Sequence, residues 1–485
     1  MFKIKRLFQS KIFGYVANKY LVYGIQFISS FFLAKYLGVY YLGLYGFIQI
    51  MLQYFSYSNL GVNYSLNLFL SVKEYSKYDK NQIWSVSLLI TAAVSLALFA
   101  AAVFFYAFDI KLFEKFHLPD YIFLIVIIIV LRHIGLLYTN LYRIFGKLNK
   151  INIYTALPPI GIFISLFFFK SEGLFYAILY AQILAYAAAM LIFARKSPLK
   201  FSLEYSREIP PLILKKGFNL LLYNLSFYLM MLLSRTMVGA FYSVEILGYF
   251  TFAYSLMTAV LMLIDSLNFV FYSKILKRFS ELREKTEIIE LLDKIRSLYI
   301  FGINLTGFLS FAFLPLLSLA LPEYSESLSS FKILMVAQII INNNFGYSTL
   351  LISRGMEKKL MKIGFVSILA IFIFGMLFAA IFKMNYEFVA LATIFGAVIY
   401  SVLTLREGNK MLNRPQSSKV IMSELFPLKY CISYGIILAS ALTDVYATYS
   451  GMLAFVIFAF LNYRELSGLK ANVDKILNYK IEIMN

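Results

Sequence analysis

A chain of 485 residues, 61% hydrophobic and only 14% charged, falls outside the balance of a water-soluble protein, in which roughly half the residues are apolar and a quarter charged. Its one cysteine, Cys431, excludes an internal disulfide, and with only His117 and His133 beside it no zinc-binding set, and so no metal, is expected. A formal net charge of +20 would suit nucleic acid, but it equally suits the cytoplasmic loops of a membrane protein, so its placement along the chain decides.

The basic start, MFKIKRLFQSKIF, runs into an apolar segment long enough to span a bilayer and lacks a small-residue cleavage site, so it reads as a retained first helix with a cytoplasmic beginning. Apolar runs bounded by charge, proline or glycine predict fourteen helices, at about 12–34, 41–70, 82–108, 119–142, 151–169, 173–194, 217–240, 246–273, 297–321, 331–353, 363–382, 388–405, 426–443 and 447–463. With the start inside, 37 of the 45 Lys and Arg fall in cytoplasmic segments, and six (Lys35, Lys111, Lys115, Lys170, Lys332 and Lys383) fall outside. Arg132 and Arg235 lie within spans. This is the positive-inside distribution, and it places both termini in the cytoplasm. Because the basic residues are spread along the chain rather than gathered in one patch, no nucleic-acid partner is expected.

Polar residues recur on several spans. Lys19, Tyr23, Gln26 and Ser30 form one row on the first helix. On the second, QIMLQYFSYSNLGVNYSLN carries Gln49, Gln53, Ser56, Asn63 and Asn67 at helical spacing. Asn224 and Arg235 share a face of the seventh helix, and Gln338, Asn342 and Thr349 share one on the tenth.

A repeat organises these stripes. YLGVYYLGLYGF at 36–47 aligns with FYSVEILGYFTF at 241–252, an offset of 205 that pairs Val39 with Val244, Gly43 with Gly248 and Phe47 with Phe252. The same offset carries positions 49, 53, 56, 60, 63 and 67 of the second helix onto Tyr254, Thr258, Leu261, Asp265, Asn268 and Tyr272. Since six helices separate the copies, they are parallel repeats about an axis along the membrane normal. The expected fold is an all-α polytopic membrane protein of two pseudo-symmetric six-helix bundles around a cavity, with a C-terminal helix pair. The lobes divide as 1–216 and 217–420, with 421–485 appended.

Any single amide or hydroxyl here is most simply a hydrogen-bonding bolt between helices. The duplicated set points instead to a cavity wall, because polar side chains in hydrocarbon face a bundle interior or water. Arg132 lies 13 residues into the fourth helix, roughly 20 Å deep, where an arginine costs about 2.5–3.5 kcal/mol to insert. Asp265 lies near the inner surface and Arg235 near the outer, so these two should not pair, whereas Lys19 is within reach of Asp265. Lys19, Arg132 and Arg235 outnumber that single internal carboxylate, and an anionic passenger follows, a diphosphate suiting arginine's fork. Asp265 and His133 are the candidates for ion coupling, with an interhelical hydrogen bond the plainer role for His133.

LAKYLGVYYLGLYGF at 33–47, followed by NLGVNYSLN, resembles the start of the polysaccharide transport proteins, the Wzx-type oligosaccharide flippases of the multidrug/oligosaccharidyl-lipid/polysaccharide (MOP) exporter superfamily. LSRTMVGAFYSVEILGYFTFAYSL at 233–256 resembles their other recurring element, an Arg ahead of an aliphatic run and a Gly-Tyr opening the next helix, which gives Arg235 a motif-level counterpart. The resemblance implies a monomeric transporter of the bacterial inner membrane, with a V-shaped pair of lobes around a cationic cavity. It would carry undecaprenyl-diphosphate-linked oligosaccharide, an O-antigen or other surface-polysaccharide unit, to the outer leaflet. No cofactor is implied; a proton or sodium gradient or the membrane potential would drive it, and polysaccharide polymerase machinery would be a partner beside the lipid bilayer. The last two helices resemble the extra pair of the lipid II flippase branch. The rival readings are a MATE-like drug or organic-cation exporter, which would need internal carboxylates, and a membrane glycan polymerase or transferase. The latter would need larger outer loops than the longest one here, about a dozen residues.

Overall fold

A computed structural model describes residues 11–71, 78–110, 113–195, 197–203, 206–443 and 448–468; the side chains of 11–16, 223, 227, 263 and 265–274 lie outside that description. The described residues are helical, with no strand among them.

Local chemistry sets the helix boundaries. The first helix, α1 (Lys11–Phe55), merges the first expected span with half of the second, because Gly38 kinks it at φ 71° and ψ 169° instead of opening a loop. Helix α2 (Val62–Ser71) is the rest of that second span. The expected continuous helix over 41–70 is thus broken, by turns at 56–61 in which Leu60 and Gly61 take positive φ. At Gly61 a Cβ would run into the carbonyl of Gly217, so glycine is required on steric as well as conformational grounds.

Helix α3 (Lys80–Ala107) is capped by Asp79, whose carboxylate accepts from the Asn81 amide at 3.1 Å. Its Ser85, Ser87, Thr91 and Ser95 hydroxyls each donate to the carbonyl four residues back, so these polar side chains satisfy themselves within the helix. Helix α4 (Leu118–Ile144) opens on Pro119, where a missing amide costs nothing. Helices α5 (Leu148–Phe168) and α6 (Ser171–Ala194) follow, then α7 (Ile209–Phe241) and α8 (Val244–Glu281).

The chain continues through α9 (Lys285–Ala312), the short α10 (Leu314–Ala320), α11 (Ser327–Asn342) and α12 (Tyr347–Ser353). The tenth expected span is broken between α11 and α12, at Gly346 with φ 91°. Helix α13 (Glu357–Met376) ends in a wider turn at Leu377–Ile381, and α14 (Tyr386–Met411), α15 (Ser418–Leu425), α16 (Leu428–Thr443), α17 (Ser450–Leu461) and α18 (Tyr463–Ser467) complete the fold.

Among the described residues, eight helices are long and apolar enough to cross a membrane, or ten if each of two bent pairs counts as one span. The expected count of fourteen is not confirmed. Hydropathy runs straight through the glycine breaks, and α16 and α17, with 16 and 12 residues, are short for separate spans.

Contacts divide the chain into two compact units, 1–259 and 260–485. This boundary describes packing, whereas the lobe boundary at 216 describes duplication, and the one does not decide the other. In the first unit α1 packs on α5 and α6, while α2 packs on α4 and α7 around Val62, Leu66, Trp84, Leu137, Leu141 and Ile213. In the second, α14 packs between α11 and α13. The C-terminal pair α16 and α17 is seated on α9 and α11, with Phe308 stacked on Phe458 at 4.8 Å and Tyr430 at 5.7 Å from the same ring.

Candidate transport site

The first unit holds most of the polar residues singled out from the sequence. Arg132, midway along α4, is half-buried and forms no hydrogen bond or ion pair among the described residues. It lies within electrostatic reach of Tyr45 on α1, Tyr57 in the break after α1, and Tyr154 on α5. Tyr45 is hydrogen-bonded to Gln49, and Tyr57 meets Tyr228 of α7 edge-to-face at 5.2 Å. Gln49 joins this group through Tyr45; Gln53 and Asn67, and Lys19 and Gln26 on the first segment of α1, are half-buried, and no contact brings them to it among the described residues.

His133 is 1% exposed, and its Nε2 donates to the carbonyl of Phe55 at 2.9 Å. That bond ties α4 to the end of α1 and fixes the tautomer, since a carbonyl can only accept. Asn63 is also buried, its backbone carbonyl accepting from Asn140 at 2.9 Å and its own side-chain oxygen left without a partner.

Arg235 is 3% exposed; its guanidinium donates to the Gly46 carbonyl at 3.2 Å and lies 5.0 Å over the ring of Tyr254. Its Nε finds no partner. Thr258 donates to the Tyr254 carbonyl at 2.8 Å, one turn further along α8. Lys19 sits 5.5 Å over Tyr23, its neighbour in the expected row. The side chains of Asp265 and Asn268 lie outside the described residues.

The described carboxylates of the first unit contrast with these arginines. Asp120, Glu172 and Glu245 stand in first turns of helices and Glu208 caps α7, where negative charge meets the helix dipole. Asp79, Asp109 and Glu114 lie in connections or at the cap of α3. Deep charge in this unit, among the described residues, is therefore cationic.

The second unit contains polar clusters that sequence reasoning missed. Lys332, assigned to the exterior by hydropathy, is fully buried and donates to Ser440 and Ser450 at 3.0 Å each, bolting α11 to the C-terminal pair. Asn304, Asn343 and Tyr434 form a closed network in which the Tyr434 hydroxyl donates to Asn304 and Asn343 donates to the Leu425 carbonyl at 2.9 Å. Asn342, part of the expected polar face, accepts from Tyr299 at 2.7 Å. These amides are bolts between helices. The only forewarning was the unusual run Asn342–Asn344 in an apolar stretch.

At one end of this unit Asp293, Arg296, Arg414 and Glu424 line a cavity of about 460 Å³. Arg296 meets Glu424 at 3.8 Å and covers the Tyr347 ring at 4.6 Å. Burial opposes the charge on Arg414, but its bonds to Asp293 and Tyr347 win and hold its pKa above the ordinary value.

The fold matches solved membrane transporters. An inward-facing multidrug resistance MATE family transporter of the MOP superfamily superposes with a TM-score of 0.65 at 15% identity, covering 81% of this chain and 94% of that one. The lipid II flippase MurJ, in an inward closed conformation, gives 0.66 at 16% identity, covering 93% and 99%. A MOP superfamily transporter from Pyrococcus furiosus, described by the reverse polarity of its binding pocket, gives 0.50 at 15% identity over 82% and 94%. At these identities the likeness establishes the fold, that of a multi-pass MOP-type membrane transporter. The sequence matches the family of polysaccharide biosynthesis proteins over residues 45–297, more than half of the chain, and the protein belongs to that family. No curated protein matches it.

Proposed function

We propose that the protein is a flippase, not an enzyme, that carries an undecaprenyl-diphosphate-linked oligosaccharide from the cytoplasmic to the outer leaflet of the bacterial inner membrane by alternating access. The observation that carries this reading is Arg132: a half-buried cation in mid-helix, without hydrogen bond or ion pair among the described residues, amid tyrosine hydroxyls. Such a group in hydrocarbon calls for an anionic partner or water. A diphosphate supplies both charge and acceptors for a guanidinium fork. Gln49, Gln53, Asn67 and the neighbouring tyrosines supply the donors and acceptors a glycan needs, while the polyprenyl tail stays in lipid.

The polarity of the unit separates this reading from the organic-cation exporter. That rival needs buried carboxylates, and the described carboxylates of the first unit sit at helix ends or in connections. Outward movement of a diphosphate is also driven by a membrane potential negative inside, by about 2.3 kcal/mol per charge at 100 mV. The potential is therefore a sufficient source of direction, and His133, committed to the Phe55 carbonyl, is not required as a proton carrier.

Depletion of the protein tests the reading. Accumulation of polyprenyl-diphosphate-linked glycan shielded on the cytoplasmic side, measured by mass spectrometry with enzyme accessibility from outside, is the expected outcome, and Arg132→Ala should reproduce it while still inserting. An unchanged lipid profile and intact surface polysaccharide would sink it.

A further inference from the structure

The repeat detected in the sequence reappears as a reciprocal contact in space. A Cβ added to Gly43 would collide with the Val244 carbonyl, and one added to Gly248 with the Val39 carbonyl, each well under the 3.0 Å that real Cβ atoms keep. Val39 and Gly43 become Val244 and Gly248 under the 205-residue offset. Each copy therefore places its glycine on the other copy's valine, the signature of a two-fold contact. Gly46 extends it: its Cβ would strike Oγ1 of Thr251, its own counterpart at the same offset, as expected of a residue near the axis.

Side chains fasten this crossing. Lys115 donates to the carbonyls of Ala240 and Tyr242, at 3.1 and 2.7 Å, closing the end of α7. The adjacent Phe116 stacks on Phe47 of α1 at 4.1 Å, so one short connection grips both copies. Tyr54 and Thr236 share a hydrogen bond at 2.9 Å. By the distribution of Lys and Arg, residues 35–40 and 241–245 face the outside.

We infer that the Gly43–Gly248 crossing is an outer seal: it closes the path on the external side in this state and must part each time the path opens outward. This rests on the alternating-access reading. A backbone-to-backbone contact on the axis has no room to slide, so it is either made or broken. Any side chain at either glycine favours the broken state.

The test uses the full chain in right-side-out membrane vesicles, with Cys431→Ser and a reporter, Thr251→Cys, labelled by a membrane-impermeant maleimide. Thr251 is 2% exposed and its hydroxyl has no partner, so the exchange removes no bond. Labelling is expected to be slow in this background. Gly43→Ala or Gly248→Ala should each speed it about tenfold, as overpacking of a closed contact implies, with the double variant little faster than either single one. Gly24→Ala, where a Cβ meets nothing within 4 Å, should leave it unchanged. Lys115→Met, which removes two hydrogen bonds without adding bulk to the crossing, should also speed labelling, and it carries the test if the glycine variants do not accumulate. Unchanged labelling in the inserted variants, or an equal rise in Gly24→Ala, overturns the seal. Labelling requires no substrate, so a failed seal with a positive depletion profile removes only the seal, and the converse removes only the substrate.

Discussion

Arg235→Met takes away a positive charge that is 3% exposed and has no carboxylate partner among the described residues. Withdrawing an unpaired ion from water costs several kcal/mol even after relaxation. Against that stand one charge-assisted hydrogen bond, of about 1.5–3 kcal/mol, and one desolvated contact with an aromatic face, of about 2 kcal/mol. Both contacts draw on the same guanidinium, whose Nε stays unpaired, so they do not sum fully and the penalty prevails. Methionine keeps the length of the side chain and loses the charge. It is expected to stabilise the protein by about 1–2 kcal/mol, within the range seen when buried ions give way to apolar side chains. The assay is loss of the monodisperse species on heating in detergent, where the unfolded chain meets water. Arg132→Met, at a half-buried site with no contact to lose, should move stability by less than about 0.5 kcal/mol. A lower melting temperature for Arg235→Met would refute the reasoning, because it would mean that the Gly46 and Tyr254 contacts outweigh desolvation and that Arg235 is a structural bolt.

Tyr434→Phe leaves the Asn304 side-chain oxygen without its donor and should cost about 0.6–1.7 kcal/mol, the scale of interhelical hydrogen bonds in membranes; no change in thermal stability would show that the amides repartner. At the C-terminal end, a hydrogen bond from Lys429 holds the Glu465 carboxyl below its ordinary pKa. A carboxyl depressed on folding stabilises the fold above its unfolded pKa and loses that contribution as pH falls through the folded value. Stability should therefore decline on acidification below about pH 4, and Lys429→Met should flatten that decline, a small effect since the side chains are 35% and 40% exposed. An identical acid response in variant and parent would exclude the pair as its source.

The sequence alone determined what depends on solvent and on period. Composition placed the chain in a bilayer, because only about 20 apolar residues in a row can bury a backbone there without water. The repeat offset of 205, found from one glycine match, also set the register of the crossing, since Val39, Gly43 and Gly46 meet the residues that the offset names. Hydropathy was blind to the breaks at Gly61 and Gly346, because positive φ leaves no trace in apolarity. Nor did hydropathy foresee the burial of Lys332, because the Ser440 and Ser450 hydroxyls that accept from it lie more than 100 residues away in the chain. Arg132 and Arg235 looked alike as charges inside spans. Tertiary structure separated them, because a partner's identity is set by what another helix presents at the same depth: the Gly46 carbonyl and the Tyr254 ring for Arg235, and for Arg132 no hydrogen-bonding or ionic partner among the described residues.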